Sequence, residues 1–191
     1  MRQALYRLGE TLLESLTKHD PGPGVSAVRL ITDGACLDNG RADPRGGWAA
    51  ILIGPDGGER VLTGAEAPST NNRMELTAAI EGLAAAPAGS DVEVLTDSAY
   101  LANGVNQGWI ENWKRKGWVT AAKKPVANRP LWERLDAEIA RHRSVRFRHV
   151  RGHAGHEENE RADRLAQEAA LGAEPGTGPA GDERGQLDLG L

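Results

Sequence analysis

Cysteine occurs once in the 191 residues, at Cys36, so no internal disulfide can form and the chain suits a reducing cytoplasm. No stretch approaches the roughly 20 consecutive apolar residues that a membrane span needs. The start, MRQALYRLGETLLE, lacks the charged-then-apolar build of a secretory signal. A cytoplasmic monomer with no membrane association is the expectation. No cysteine pair is present, which removes the cysteine-based zinc donor sets. Positive charge is also short: the formal net charge is −4, which on its face argues against a nucleic-acid partner.

That average hides an uneven distribution. Residues 172–191 carry Glu174, Asp182, Glu183 and Asp188 against Arg184 alone, whereas residues 1–25 balance. Between Gly108 and Arg134, Lys114, Arg115, Lys116, Lys123, Lys124, Arg129 and Arg134 face only Glu111 and Glu133. A basic stretch therefore sits inside an acidic chain.

The length fits one domain with tails. Residues 1–25 read as an extension and linker, because Leu5, Leu8, Leu12 and Leu16 have helical spacing and the breaker run DPGPG follows at 20–24. VRLIT from Val28, WAAILI from Trp48 and Glu59–Gly64 read as strands. NNRMELTAAIEGLAAA at 71–86 places Leu76, Ala79, Ile80 and Leu83 on one helical stripe that Pro87 ends. DVEVLTD at 91–97 alternates like a strand, with a short helix expected after Ser98. A helix near Leu131–His142, a strand near Val145–Val150 and a helix from about Glu157 to Leu171 complete an α/β order, early strands antiparallel and later ones joined by crossovers. Gly172 to Gly185 is Gly/Pro/acid-rich and predicts a disordered linker, ending in QLDLGL.

Four acids draw notice from their placement. Asp33 is expected to end the first strand, Glu75 lies inside an apolar helix, Asp97 ends VEVLTD, and Asp163 lies in the last helix. Taken singly, Asp33 before Gly34 also suits a turn, Asp97 before Ser98 a helix cap, and Asp163 a solvated face. Glu75 is harder to explain so, because Met74, Leu76 and Ala79 surround it and a buried carboxylate needs a partner. Strands ending side by side would make Asp33 and Asp97 neighbours at one sheet edge. Packed helices could add Glu75 and Asp163, giving a self-repelling cluster that metal ions would neutralise. Hard oxygen donors point to Mg²⁺, with Mn²⁺ able to substitute. Two such ions are a known solution for displacement at phosphorus.

The segments TDGAC (32–36), TNNRMEL (70–76), TDSAY (96–100) and RGHAGHEENERADRLA (151–166) resemble, in order, the four signature segments of type 1 ribonucleases H. The resemblance runs over roughly Ala27–Leu171 and marks residues 26–171 as the domain. It implies the ribonuclease H fold, a mixed five-stranded sheet with helices on both faces, and hydrolysis of the RNA strand of RNA–DNA hybrids to 5′-phosphate and 3′-hydroxyl ends. It places metal-binding and catalytic carboxylates at Asp33, Glu75, Asp97 and Asp163. A catalytic histidine on a loop falls on His153, the first histidine of GHAGH, rather than on His156. Groove contacts fall on Thr70, Asn71 and Asn72, with Asn39 and Cys36 as further contacts.

Two departures from the family stand out. The loop DNGRADPRGGW after Cys36 is longer than usual, and Ala99 replaces a common glutamine, which predicts weaker binding or altered site preference. Trp109–Pro130 resembles the basic handle of bacterial members, so Lys114, Lys116, Lys123 and Lys124 are expected to meet DNA phosphates. Trp109, Trp113, Trp118 and Trp132 suit packing within the handle, with Trp109 the candidate for sugar contact. QLDLGL resembles the clamp-binding peptides of bacterial replication proteins, through Gln186, Leu187, Leu189 and Leu191, tethered by the linker.

Overall fold

The computed structural model describes residues 27–38, 43–151 and 157–177. The leucine-spaced segment of residues 5–16, Asn39, His153, His156 and the QLDLGL residues Gln186, Leu187, Leu189 and Leu191 lie outside the described residues. Five strands form one mixed sheet: β1 Val28–Leu37, β2 Arg45–Ile53, β3 Glu59–Glu66, β4 Asp91–Thr96 and β5 Ser144–His149, in the order β3-β2-β1-β4-β5. β1, β2 and β3 pair antiparallel, while β1–β4 and β4–β5 are parallel. The helices are α1 Asn71–Ala85, α2 Ala99–Asn106, α3 Trp109–Arg115, α4 Arg129–Ile139 and α5 Glu157–Leu171.

Strand alternation sends side chains to two cores, so helices are needed on both faces. Val28, Leu30, Ala50, Leu52, Val92 and Val94 pack with Leu76, Ile80 and Leu83 of α1, Leu101 of α2, Ile110 of α3, and Trp132 and Leu135 of α4. Ile31 and Ile51 face Ala162 of α5 on the other side. Ala162, Ala166 and Ala170 recur every four residues and are fully buried. A Cβ on Gly47 of β2 would overlap the backbone of Ala166 and Ala170, so small residues on both partners let α5 lie directly on the sheet.

Two expectations need correction. Asp33 does not end β1, which continues to Leu37 because β2 stays in register through Leu37↔Arg45. The pairing with β4 does stop at Thr32↔Thr96, so Asp33 lies just past the parallel ladder although it remains within a strand. Residues 173–177, expected within a disordered linker, pack back on the sheet. Pro175 bridges Ala67, and the Ala67 amide donates to the Thr177 hydroxyl at 2.9 Å. No helix among the described residues is long and apolar enough to cross a membrane.

Candidate active site

The parallel ladder ends at Thr32 and Thr96, so Asp33 and Asp97, the next residue of each chain segment, emerge together at one edge. Glu75 reaches the same place from α1, whose start is fixed by Thr70: the Thr70 hydroxyl oxygen accepts from the Arg73 amide at 3.3 Å as an N-cap. The helix then crosses β1 at Gly34, where a side chain would overlap the Glu75 nitrogen and the Met74 carbonyl carbon. Gly34→Ala should therefore push Glu75 away from the cluster. The expected result is a loss of about 1–3 kcal/mol of stability in denaturant unfolding, the usual cost of overpacking, together with lower activity.

Carboxylate oxygens of Asp33, Glu75 and Asp97 lie within 4.8 Å of one another. Asp33 and Glu75 are buried, at 5% and 9% exposure, and Asp97 is half-buried. Burial pushes the Asp33 carboxyl up to about 8, with repulsion from Asp97 and Asp163 and a side-chain hydrogen bond with Asp163 adding to it; the Gly34 amide opposes the rise. Burial, and then the charges of Asp33 and Asp97, hold Glu75 well above the usual carboxylate range. Its Oε2 atom is buried with no hydrogen-bond partner. An orphaned oxygen among mutually repelling carboxylates is poor chemistry for a protein alone and a good donor set for a hard divalent cation.

Asp163 stands beside Asp33 and accepts from the Gln167 amide at 2.7 Å. The Asn159 amide donates to Asp97 Oδ2 at 3.2 Å, and a His149 ring nitrogen lies 3.0 Å from the Asp97 carbonyl. Nothing in the linear motifs singles out Asn159 and Gln167 as site residues. Their signal is the i,i+4 spacing Asn159–Asp163–Gln167, which puts all three on one face of α5.

Of the expected substrate contacts, Cys36 and the Thr70–Asn72 turn come together. Cys36 Sγ donates to the Ser69 carbonyl at 3.5 Å, and Ser69 is itself held by the Pro44 carbonyl and the Glu66 carboxylate. Arg73 closes this support with Nε to Glu66 at 2.9 Å. Asn71 is exposed and Asn72 half-buried. Because Thr70 caps with its oxygen lone pair, its hydroxyl proton remains free to donate. Ala99 is the exposed first residue of α2, after the N-cap Ser98.

The handle's tryptophans pack on each other. Trp113 lies 5.8 Å from Trp109, 6.3 Å from Trp118 and 5.4 Å from Trp132, and Trp132 donates to the Tyr100 hydroxyl at 2.8 Å. Trp109 is the half-buried end of this stack, and its indole N–H donates to Gln107. Lys114 is exposed and pairs with Asp136 at 2.5 Å and Glu111 at 3.4 Å. Lys116, Lys123 and Lys124 are exposed.

Comparison with known proteins accords with this geometry. A family model described as RNase H matches residues 25–171. Ribonuclease H of Dinoroseobacter shibae is 54% identical over 154 residues, covering 78% of this chain and 95% of that protein. Ribonuclease H of Thermus thermophilus is 54% identical over 143 residues, covering 75% and 83%. Among solved structures, LC9-RNase H1, described as a type 1 RNase H with the type 2 active-site motif, superposes with a TM-score of 0.65 at 32% identity, covering 81% of this chain and 77% of that one. A foamy viral protease-reverse transcriptase in complex with an RNA/DNA hybrid shares the fold, with a TM-score of 0.69 at 20% identity, covering 82% of this chain and 22% of that one.

Proposed function

This chain belongs to the bacterial type 1 ribonuclease H family of enzymes, and we propose that it cuts the RNA strand of RNA–DNA hybrids at the cluster of Asp33, Glu75 and Asp97, with Asp163 alongside. The observation that carries the reading is the burial of mutually repelling carboxylates at the end of the parallel ladder, with Glu75 Oε2 left unpartnered. The four carboxylates would hold Mg²⁺, with Mn²⁺ as a substitute. Two such ions bound there would supply charge neutralisation at the phosphate, activation of the attacking water and stabilisation of the leaving oxygen.

The chain's own residues do the rest. Asn159 fixes the rotamer of Asp97, Gln167 that of Asp163, and the Gly34 crossing sets the depth of Glu75. His153 is assigned to carry a proton between solvent and the leaving 3′ oxygen, since its unperturbed pKa lies near neutrality. Thr70, Asn71, Asn72, Asn39 and Cys36 take the minor groove and a DNA phosphate, reading shape and the 2′-hydroxyl rather than base identity. Lys116, Lys123 and Lys124 of the handle, with Trp109 against a sugar, hold the DNA strand; Lys114 contributes less because Asp136 already engages it.

The test is incubation with Mg²⁺ of labelled hybrid, duplex DNA and duplex RNA. Cuts confined to the RNA of the hybrid, leaving 5′-phosphate and 3′-hydroxyl ends, are expected. Equal cutting of duplex DNA would overturn the reading, and binding without cutting would make the chain a hybrid-binding module. The QLDLGL tail is proposed to recruit the enzyme to a bacterial sliding clamp. A pull-down with clamp should retain the full chain and lose one ending at Gly185, and equal retention would contradict recruitment.

A further inference from the structure

Residues 141–151, RHRSVRFRHVR, hold five arginines and no acid, a denser run of positive charge than the handle. Two of the five are spent inside the protein: Arg141 pairs with Glu138 at 2.5 Å, and Arg143 forks onto Asp91. Arg146 and Arg148 on β5, and Arg151 just beyond it, are exposed, and among the described residues no carboxylate forms an ion pair with them. Asp91 feels the charge of Arg146, but Arg143 and Ser144 hold that carboxylate. Glu93 is the register partner of Arg146 on β4, and Glu157 lines the same cleft as Arg148; neither forms a pair with them.

β5 is an edge of the sheet. Phe147 is buried in, and Val145 packs against, the helix-covered core, so alternation directs Arg146 and Arg148 to the opposite face, beside the start of α5. There a cleft of about 410 Å³ is lined by Arg29, Ile31, Leu95, Arg148 and Asn159, among others. Arg29 is already paired with Glu158. Asn159, which lines this cleft with Arg148, donates to Asp97, so the cleft adjoins the carboxylate cluster.

We propose that Arg146 and Arg148 form a second phosphate-binding strip, separate from the handle, that holds the nucleic-acid backbone on the side of the cut facing β5. The inference rests on the hybrid-cutting reading and extends it. A phosphodiester must approach a negatively charged cluster on a chain whose net charge is −4, so cations are required near the point of entry. Arginine suits the task, because its planar fork binds phosphate oxygens in pairs. Alternate residues on a strand are about 6.6 Å apart, twice the rise per residue, which is close to the separation of neighbouring phosphates on one strand.

Equilibrium binding of a fluorescent hybrid, read by anisotropy without divalent ions over a range of NaCl, tests this independently of cleavage. The full-length double variant Arg146→Gln/Arg148→Gln should weaken binding and flatten the slope of log Kd against log salt by about 1.8, from about 0.9 per phosphate contact, with unchanged melting temperature. The control Arg141→Gln/Arg143→Gln should leave the slope unaltered. An unchanged slope in the first variant, or an equal change in both, overturns the strip. A flattened slope in a protein that binds but never cuts would support the strip and overturn the hybrid-cutting reading instead.

Discussion

In the absence of divalent cations, stability should fall as pH rises from about 4 to about 8, and Mg²⁺ should restore it. Asp33 moves from an ordinary value of 3.8 to about 8 in the fold, and Glu75 is also raised. Between those limits the native protein binds more protons than the unfolded chain, so the slope of unfolding free energy against pH is negative. The contribution is fully present below the unfolded pKa and is lost as pH climbs through the raised one. A tenfold difference in proton affinity between the folded and unfolded states is worth about 1.4 kcal/mol, and the coupling of the two groups keeps the total at the level of several kcal/mol. For a domain of this size each kcal/mol moves the melting temperature by about 2–4 °C, so a drop on the order of 10 °C is expected between about pH 5 and about pH 8.5 in EDTA. Asp91, held low by Arg143 and Ser144, acts with the opposite sign but only below about pH 4, outside this window. Glu75→Gln removes one of the repelling charges and should flatten the curve. A melting temperature independent of both pH and Mg²⁺ would show that the carboxylates are not coupled as the geometry requires.

Much of the architecture is legible in linear form, because periodicity reports which face is buried. The stripe of Leu76, Ala79, Ile80 and Leu83 marks α1, and the alternation of VEVLT marks β4. What escapes depends on partners distant in the chain. β1 runs to Leu37 rather than stopping at Asp33 because β2 lies against it, which no local pattern in TDGAC announces. Lys114 has the sequence setting of a phosphate ligand, yet α4 brings Asp136 to it. Residues 173–177 read as linker by composition, but Pro175 bridges Ala67 and the Thr177 hydroxyl accepts from the Ala67 amide. At the site, the acids are conspicuous because Glu75 sits in an apolar helix. Asn159, which is 62 residues from Asp97 and contacts it, resembles any polar residue of an amphipathic helix.

Asp97→Asn should abolish cutting while leaving the hybrid bound. The substitution keeps the side chain's size and removes a charge from the half-buried member of the cluster. On the proposed two-ion reading, loss of one carboxylate that would hold a cation removes several kcal/mol of charge stabilisation that exists only as the phosphate reacts. About 4 kcal/mol corresponds to a fall of roughly 1,000-fold in kcat. KM should change little, since the Thr70–Asn72 turn, Cys36 and the basic residues remain. The same variant relieves repulsion on Asp33 and Glu75, both of which the Asp97 charge helps to raise, so metal-free protein should melt higher than wild type at about pH 8.

The most direct measurement is Mg²⁺-dependent cleavage of an end-labelled RNA–DNA hybrid by wild type and by Asp97→Asn, at concentrations where both are shown to bind it. Hydrolysis of the RNA strand by wild type alone, dependent on added metal, is the predicted result. Cleavage by the variant at the wild-type rate, or binding without cleavage by the wild type, would contradict the assignment of Asp33, Glu75 and Asp97 as the catalytic centre.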